Sequence, residues 1–350
     1  MKIAVVGCGA VGSYYGAMLA RAGHEVHFLL RSDYEAVRRD GVRVRSPQGD
    51  FQIRVHCARR PEEIGRSDLV LIGLKTPAND QFPHLLPPLA GQQTAVVTLQ
   101  NGLGNEEQIA RLFPPEQILG GLCFVCLNRV APGTILHLDH GQIVLGEFQG
   151  APGPRTQAIS MRLREAGIPC VITDNLARTH WEKLVWNIPF NGLGVAGTAG
   201  FESFSKGAPL SRISPSQVTQ ASSPASGGPP PGAGFAPRSS ATLTTDIILA
   251  DSGWSALLRE LMLEVIGAAR ALGFDLPDSL ADKNIHLTRT MGAYKASTLI
   301  DFERRLPLEL ESMFLEPWRR ARQAGVSVPR LERLCEILRE LDRSVRETGG

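Results

Sequence analysis

Short apolar runs recur through the first half of the chain at the length of β-strands. Two of them, residues 69–74 and 95–99, are nearly continuous, which is typical of parallel strands covered on both faces. The pattern predicts strands at residues 2–6, 25–30, 51–56, 68–74, 94–99, 118–127 and 142–147. Helical periodicity lies between them, at residues 11–22, 32–40, 78–89 and 104–112. This alternation predicts an α/β fold with a doubly wound, Rossmann-type sheet.

From about residue 175 the apolar pattern becomes helical, and Pro or Gly separates the segments. Helices are predicted at residues 175–200, 252–273, 277–292, 308–323 and 328–346. The expected organisation is a nucleotide-binding domain, 1–174, followed by a mostly α-helical substrate and catalytic domain, 175–350. Ligands of such two-domain proteins tend to lie in the cleft between the domains.

Residues 203–240 do not fit this helical pattern. They are rich in Ser, Pro, Gly and Ala, a composition that buries too little apolar surface to offset the entropy of ordering. We therefore predict a disordered surface insertion at 203–240.

The first predicted strand runs directly into a glycine-rich turn that opens a helix. Its residues are Gly7, Cys8, Gly9, Ala10, Val11 and Gly12. Gly7 allows the tight turn, Gly9 lets the backbone approach a diphosphate, and Gly12 lets the helix pack close to the strand. The turn is predicted to bind a dinucleotide through backbone N–H groups at the helix N-terminus. The alternative is a turn that only connects strand to helix.

The second predicted strand, residues 25–30, is followed by Arg31. NAD-specific sites usually place Asp or Glu at the end of this strand, where the carboxylate binds the ribose hydroxyls. A guanidinium can instead make a charge-assisted, two-pronged contact with a 2′-phosphate. The sequence therefore favours NADP(H) over NAD(H), with a turn-capping role for Arg31 as the alternative.

Composition narrows the class of partner. The 37 basic and 35 acidic residues give a net charge of +2, without a basic run that would indicate nucleic-acid binding. No apolar stretch reaches the length of a membrane span. The six cysteines are scattered, which is typical of reduced thiols, so a cytoplasmic protein is expected. Cys123 and Cys126 are interpreted as buried structural thiols, and no metal site is predicted.

Several segments together resemble the ketopantoate reductases (2-dehydropantoate 2-reductases), over nearly the whole chain apart from the insertion. They are the glycine turn, Arg31, Lys75, Gln100-Asn101-Gly102-Leu103-Gly104-Asn105 and Trp181-Glu182-Lys183-Leu184-Val185-Trp186-Asn187. The resemblance implies reduction of 2-dehydropantoate to (R)-pantoate with NADPH, on the route to pantothenate. It also implies a small 2-keto acid as substrate.

The resemblance further implies roles for individual residues. Lys183 matches the family's catalytic lysine. Glu309 matches a glutamate of the family's active site, and we predict that Glu309 is also a catalytic residue. Asn187, Asn191 and Ser297 match substrate-binding residues. Asn101 matches an asparagine beside the nicotinamide and the active site, and Lys75 matches a lysine near cofactor and substrate. Alternatives remain open for Glu309, as a helix N-terminal acid, and for Lys75, as a surface lysine.

The helical spacing supports the site independently. Lys183, Asn187 and Asn191 follow one another at i, i+4 and therefore share one helix face. Hydride addition to a keto carbon builds charge on oxygen, and a lysine ammonium can stabilise that charge and donate the proton. A solvated polar face is the alternative for this stripe. His180, on the same predicted helix, is interpreted as structural because no carboxylate lies at helical spacing from it.

The family pattern is altered at Ala296, Thr298, Leu306, Leu308 and Glu311. These changes leave open a reductase for another 2-oxo acid. A protein that senses NADPH without turnover is a further alternative. Helical second domains of this type often pair, so a homodimer is also left open.

Overall fold

The computed structural model describes residues 1–205 and 241–348. The chain divides into two compact units, Met1–His180 and Trp181–Gly350. The first unit contains the strands β1 (Lys2–Val6), β2 (Glu25–Leu29), β3 (Val42–Arg45), β4 (Phe51–Ile53), β5 (His56–Ala58), β6 (Leu69–Ile72), β7 (Ala95–Thr98), β8 (Ile118–Ala131), β9 (Thr134–Glu147) and β10 (Cys170–Ile172).

These strands form one mixed sheet in the order β4-β3-β9-β8-β7-β6-β1-β2-β5, with β10 paired to β9. The six strands β5-β2-β1-β6-β7-β8 are parallel and follow the order 3-2-1-4-5-6 of doubly wound nucleotide-binding folds. Strand order reverses at β1, which lies between β2 and β6. Ligands of such sheets bind in the crevice outside the carboxyl ends of these strands.

Helices cover both faces of the sheet. They are α1 (Ala10–Arg21), α2 (Tyr34–Asp40), α3 (Pro61–Ile64), α4 (Phe82–Leu85), α5 (Asn105–Ile109) and α6 (Pro154–Glu165). Alternate residues of β1 point to opposite faces, so Ile3 and Val5 pack in one apolar core while Ala4 and Val6 pack in the other. This two-sided burial explains the continuous apolar strands, and the predicted Rossmann-type fold class is confirmed.

The second unit is built from helices. They are α7 (Leu176–Ala196), which begins in the first unit, α8 (Thr245–Ala250), α9 (Ser252–Ala271), α10 (Ser279–Thr288), α11 (Ser297–Glu303), α12 (Glu316–Gln323) and α13 (Pro329–Thr348). A π-helical turn, Glu311–Leu315, precedes α12. Leu184, Val185, Ile188 and Leu193 of α7 are almost completely buried, so α7 is a core helix rather than a surface one.

Some predicted elements differ from the structure. The helix expected at 78–89 is broken into Thr76–Gln81, Phe82–Leu85 and Pro87–Leu89, because prolines in this stretch lack the N–H that a continuous helix requires. The strand expected at 51–56 is two strands, β4 and β5, at opposite ends of the sheet order. Strands β3 and β10 and helices α3, α6, α8 and α11 were not predicted.

The predicted insertion at 203–240 begins too early. Residues 203–205 belong to the described structure, where Phe201–Phe204 forms a 3₁₀ turn and Ser203 is buried. Residues 206–240 lie outside the described residues. Among the residues that are described, no helix has the length and apolar character needed to cross a membrane.

Candidate active site

The glycine turn lies between the carboxyl ends of β1 and β6. Gly7 has φ +92°, and a Cβ there would lie 2.6 Å from the backbone carbon of Gly73 and closer still to the nitrogen of Leu74. A Cβ on Gly9 would meet nothing within 4 Å. Gly7 is therefore required by the fold, whereas the space over Gly9 is open to a ligand.

Cys8 contributes backbone rather than a thiol to this turn. Its Sγ lies 3.5 Å from the carbonyl oxygens of Val5 and Leu29, so the side chain points into the sheet. Burial raises the pKa of the Cys8 thiol well above its ordinary value. The Ser13 hydroxyl donates a hydrogen bond of 2.9 Å to the Cys8 carbonyl and secures the turn to α1.

The two glycines give opposite predictions. Gly7→Ala should lower the free energy of unfolding by about 2–3 kcal/mol, because it combines a positive φ with a backbone collision. Gly9→Ala should change it by less than about 0.5 kcal/mol but weaken dinucleotide binding about tenfold, because the new methyl group occupies the open space. Thermal unfolding and calorimetric titration of each variant check this; unchanged affinity in Gly9→Ala would contradict a ligand above the turn.

Arg31 follows β2, and its side chain is exposed. Within residues 1–205 and 241–348 it has no hydrogen-bond or ion-pair partner. Asp33, two residues later, is buried and accepts hydrogen bonds from Arg129 Nε at 2.8 Å and from the Gly133 N–H at 3.0 Å. The carboxylate nearest to Arg31 in sequence is thus already paired.

Asn101 and Lys75 follow two neighbouring parallel strands. Lys75 is exposed three residues beyond β6, and Asn101 is half-buried three residues beyond β7. Since the carboxyl ends of parallel strands meet at one edge of a sheet, both residues belong to the edge that carries the glycine turn. The structure thereby places the predicted cofactor residues of the first unit along one edge.

A buried chain of amides, absent from the sequence analysis, holds the segment around Asn101. Gln100 Nε2 donates to Asn79 Oδ1 at 2.6 Å, and Asn79 Nδ2 donates to Asn105 Oδ1 at 3.0 Å. Asn105 Nδ2 then donates to the Asn101 carbonyl at 3.0 Å. Thr98 completes the chain by donating to Gln100 Oε1 at 3.0 Å. Gln100 and Asn105 therefore fix the backbone of Asn101, which explains these residue types at this spacing.

His180 has a buried carboxylate partner that lies outside its own helix, which is consistent with its interpretation as a structural residue. Its Nε2 lies 3.0 Å from Oε1 of Glu106, and both side chains are at least nine-tenths buried. The carboxylate comes from α5, 74 residues away, so helical spacing could not reveal it. This pair connects the first turn of α7 to the helix that follows the Asn101 segment.

Loss of this pair should cost stability. We expect Glu106→Ala to lower the free energy of unfolding by about 3 kcal/mol, because it leaves His180 buried without its carboxylate partner. Glu116→Ala, at an exposed glutamate, is the matched control and should cost less than about 0.5 kcal/mol. Urea unfolding of both variants checks the difference, and equal stabilities would contradict a structural role for the pair.

In the second unit, Lys183, Asn187 and Asn191 follow one face of α7, as their spacing predicts. Asn187 is 7% exposed. It has no hydrogen-bond partner among the described residues. Its amide atoms are not among the fully buried atoms that lack a partner, so this side chain keeps contact with solvent and is available to a polar ligand.

Asn191 and Ser297 come together although they are 106 residues apart. Asn191 Oδ1 accepts hydrogen bonds from the Ser297 hydroxyl at 3.3 Å and from the Thr298 N–H at 3.0 Å. The Asn191 oxygen therefore caps the first turn of α11, and only its NH₂ group remains for a ligand. Glu309 is buried just before the π-helical turn and accepts a hydrogen bond from the Met313 N–H at 3.2 Å through its carbonyl.

Cys123 and Cys126 are both buried in β8 and are not joined in a disulfide. In the described part of the chain, no three His, Cys, Asp or Glu residues are grouped to hold a metal ion.

The strand order and the glycine turn define a Rossmann-type dinucleotide-binding protein with a helical second unit. Residues 3–150 match the family model described as "Ketopantoate reductase PanE/ApbA", and residues 238–342 match that of its C-terminal part. The 2-dehydropantoate 2-reductase of Nostoc sp. strain PCC 7120 is 37% identical over 97% of this chain and 95% of its own. The chain belongs to the ketopantoate reductase family of oxidoreductases.

Solved structures agree with this assignment. The crystal structure of 2-dehydropantoate 2-reductase from Geobacter metallireducens GS-15 has a TM-score of 0.82 and 41% identity, covering 97% of this chain and 99% of that one. A D-mandelate dehydrogenase solved with NADH and anilino(oxo)acetate has a TM-score of 0.81 but only 18% identity, covering 99% of this chain and all of the other. The second comparison shows a shared fold alone.

Proposed function

We propose that the protein reduces 2-dehydropantoate to (R)-pantoate with NADPH, in the cytoplasm, as a step towards pantothenate. The observation that carries the proposal is the Asn187 side chain, 7% exposed and without a hydrogen-bond partner among the described residues, one turn from Lys183 on α7. We infer the substrate from the similar proteins, and we infer the chemical mechanism from the residues of this chain.

The first unit fits an NADP-type dinucleotide. The open space over Gly9 accommodates the diphosphate, with backbone N–H groups of the turn and α1 as its donors. Arg31 is exposed and unpaired within the described residues, as a ligand for a 2′-phosphate should be. We assign Lys75 and Asn101 to the nicotinamide end, because they follow the strands β6 and β7 beyond the turn. When bound, the reduced nicotinamide supplies the hydride.

We assign the chemistry on the substrate to α7. As hydride reaches the keto carbon, charge develops on the oxygen, and the Lys183 ammonium stabilises it and transfers a proton from Nζ. Neutral Lys183 then regains a proton from solvent, which completes the turnover. Glu309 is assigned to orienting Lys183 or binding a substrate hydroxyl.

The amides and the hydroxyl bind and orient the substrate. Asn187 donates to its carboxylate or hydroxyl, and Asn191 offers its remaining NH₂ group beside Ser297. The Asn191 cap positions Ser297 at the first turn of α11, so the two residues act as one unit.

The altered residues of the family pattern bear on substrate choice. Ala296, Thr298 and Leu308 are each at most 4% exposed, whereas Leu306 and Glu311 are exposed. Three of the five changes thus alter packing at buried positions. A different 2-oxo acid remains the second candidate because repacking beside Ser297 can change the shape presented to a substrate.

The test is an initial-rate assay of NADPH loss with a panel of 2-oxo acids. The proposal predicts the highest kcat/KM with 2-dehydropantoate. A higher kcat/KM with another branched or aromatic 2-oxo acid would transfer the function to that substrate. Dinucleotide binding without NADPH loss on any 2-oxo acid would favour the sensor.

A further inference from the structure

Asp33 is an acid four residues beyond the end of β2 and two residues beyond Arg31. It is the residue before α2 and is only 5% exposed. Four groups donate to its carboxylate: Arg129 through Nε and Nη2, the Gly133 N–H and the Ser32 hydroxyl. Burial alone would raise the pKa of Asp33, but these hydrogen bonds outweigh it and hold the pKa below its ordinary value. Asp33 is therefore a carboxylate kept charged and fully paired.

Three of these four donors to Asp33 come from the β8–β9 hairpin. Arg129 lies near the end of β8, and Gly133 lies in the turn before β9, 96 and 100 residues from Asp33. The Gly133 carbonyl accepts from the Arg43 N–H at 2.9 Å, which anchors this turn to β3. The hairpin is thus built into the sheet and presents Arg129 to Asp33 in a fixed position.

The negative charge of Asp33 also acts on the glycine turn, through the Cys8 thiol. After burial and Cys57, the charge of Asp33 is a further cause of the raised pKa of the Cys8 thiol. Asp33 is also two residues from Arg31, which has no partner of its own among the described residues. The Arg129 guanidinium is therefore paired with the Asp33 carboxylate, while the Arg31 guanidinium is available to a ligand.

We propose that Arg129 is a specificity-determining residue, which sequesters Asp33 so that Arg31 stays available for the 2′-phosphate of NADP(H). This inference rests on the cofactor choice in the proposed function. Without Arg129, the Asp33 carboxylate loses its charge partner. It then competes for Arg31 and repels a 2′-phosphate, which is a dianion near neutral pH. NAD(H), which has a ribose hydroxyl in place of that phosphate, experiences neither effect.

The test is calorimetric titration of the full chain with NADP⁺ and NAD⁺, and with 2′,5′-ADP against 5′-AMP. The variants are Arg129→Gln, Asp33→Asn and the double variant. Arg155→Gln is the matched control, because Arg155 also pairs with a buried carboxylate, Glu147. Glu147 is the last residue of β9 and lies opposite Leu119, at the other end of the hairpin from Gly133. Thermal unfolding of each variant is measured in parallel.

Arg129→Gln should weaken binding of NADP⁺ and 2′,5′-ADP about tenfold and change binding of NAD⁺ and 5′-AMP less than about threefold. The double variant should recover most of the NADP⁺ affinity, because the uncompensated carboxylate is gone. Arg155→Gln should leave the ratio of the two affinities unchanged. Arg129→Lys, which keeps a charge partner for Asp33, gives a second and milder variant with an intermediate ratio.

Two negative results have different meanings. In the first, the wild-type protein prefers NADP⁺ and both Arg129 variants, Arg129→Gln and Arg129→Lys, keep that preference. Arg129 would then have only a structural role, and this inference would be wrong. If the wild-type protein binds NADP⁺ no more tightly than NAD⁺, the cofactor choice in the proposed function is itself wrong, and this inference is overturned with it.

Discussion

Lys183→Ala is expected to lower kcat about 10³-fold while the Kd for NADP⁺ stays within about threefold of wild type. The alanine has no charge to stabilise the developing alkoxide and no proton to donate. Dinucleotide binding is assigned to the glycine turn and Arg31, in the other unit, and should be unaffected. Single-turnover kinetics with saturating NADPH and a separate titration with NADP⁺ measure the two quantities.

Two further variants sharpen this result. Lys283→Ala removes an exposed lysine from α10 and should leave kcat unchanged. Lys183→Met keeps most of the apolar stem without the ammonium and should be as inactive as alanine, which separates lost charge from lost packing. Near-normal turnover in Lys183→Ala would remove Lys183 from the mechanism.

Arg31→Asp is expected to reverse the cofactor preference. The variant loses the two-pronged contact with the 2′-phosphate and gains a carboxylate that repels this phosphate but accepts hydrogen bonds from ribose hydroxyls. The ratio of kcat/KM for NADPH to that for NADH should fall about 10³-fold, which corresponds to about 4 kcal/mol of differential transition-state stabilisation.

The matched control is Arg164→Asp, the same change of charge at an exposed position on α6. It should change the ratio less than about threefold, because the charge is screened by solvent and salt. A ratio that stays unchanged in Arg31→Asp would show that Arg31 only caps its turn.

The fold was predictable where the signal is local. β1, the glycine turn and α1 follow one another directly, and continuous apolar strands indicate a sheet covered on both faces. The separation of residues 51–58 into β4 and β5 was not predictable, because partners across the sheet decide it. The helix predicted at 78–89 is wrong because Pro83, Pro87 and Pro88 within it interrupt the hydrogen bonds of a continuous helix.

The site shows the same division. The stripe of Lys183, Asn187 and Asn191 follows from helical spacing alone. The contacts that fix the surrounding groups join residues far apart in the chain: Glu106 with His180, Asp33 with Arg129, and Asn191 with Ser297. A single sequence contains no signal that pairs residues so far apart in the chain. In the structure, their burial and their hydrogen bonds identify the pairs.

The most direct test of the central claim follows the hydride itself. The protein is incubated with 2-dehydropantoate and NADPH that carries deuterium at both C4 positions of the nicotinamide ring, and the product is analysed by mass spectrometry and NMR. The account predicts (R)-pantoate with one deuterium on the hydroxyl-bearing carbon, formed at a rate that Lys183→Ala lowers about 10³-fold. Unchanged 2-dehydropantoate, or product without deuterium at that carbon, would contradict it.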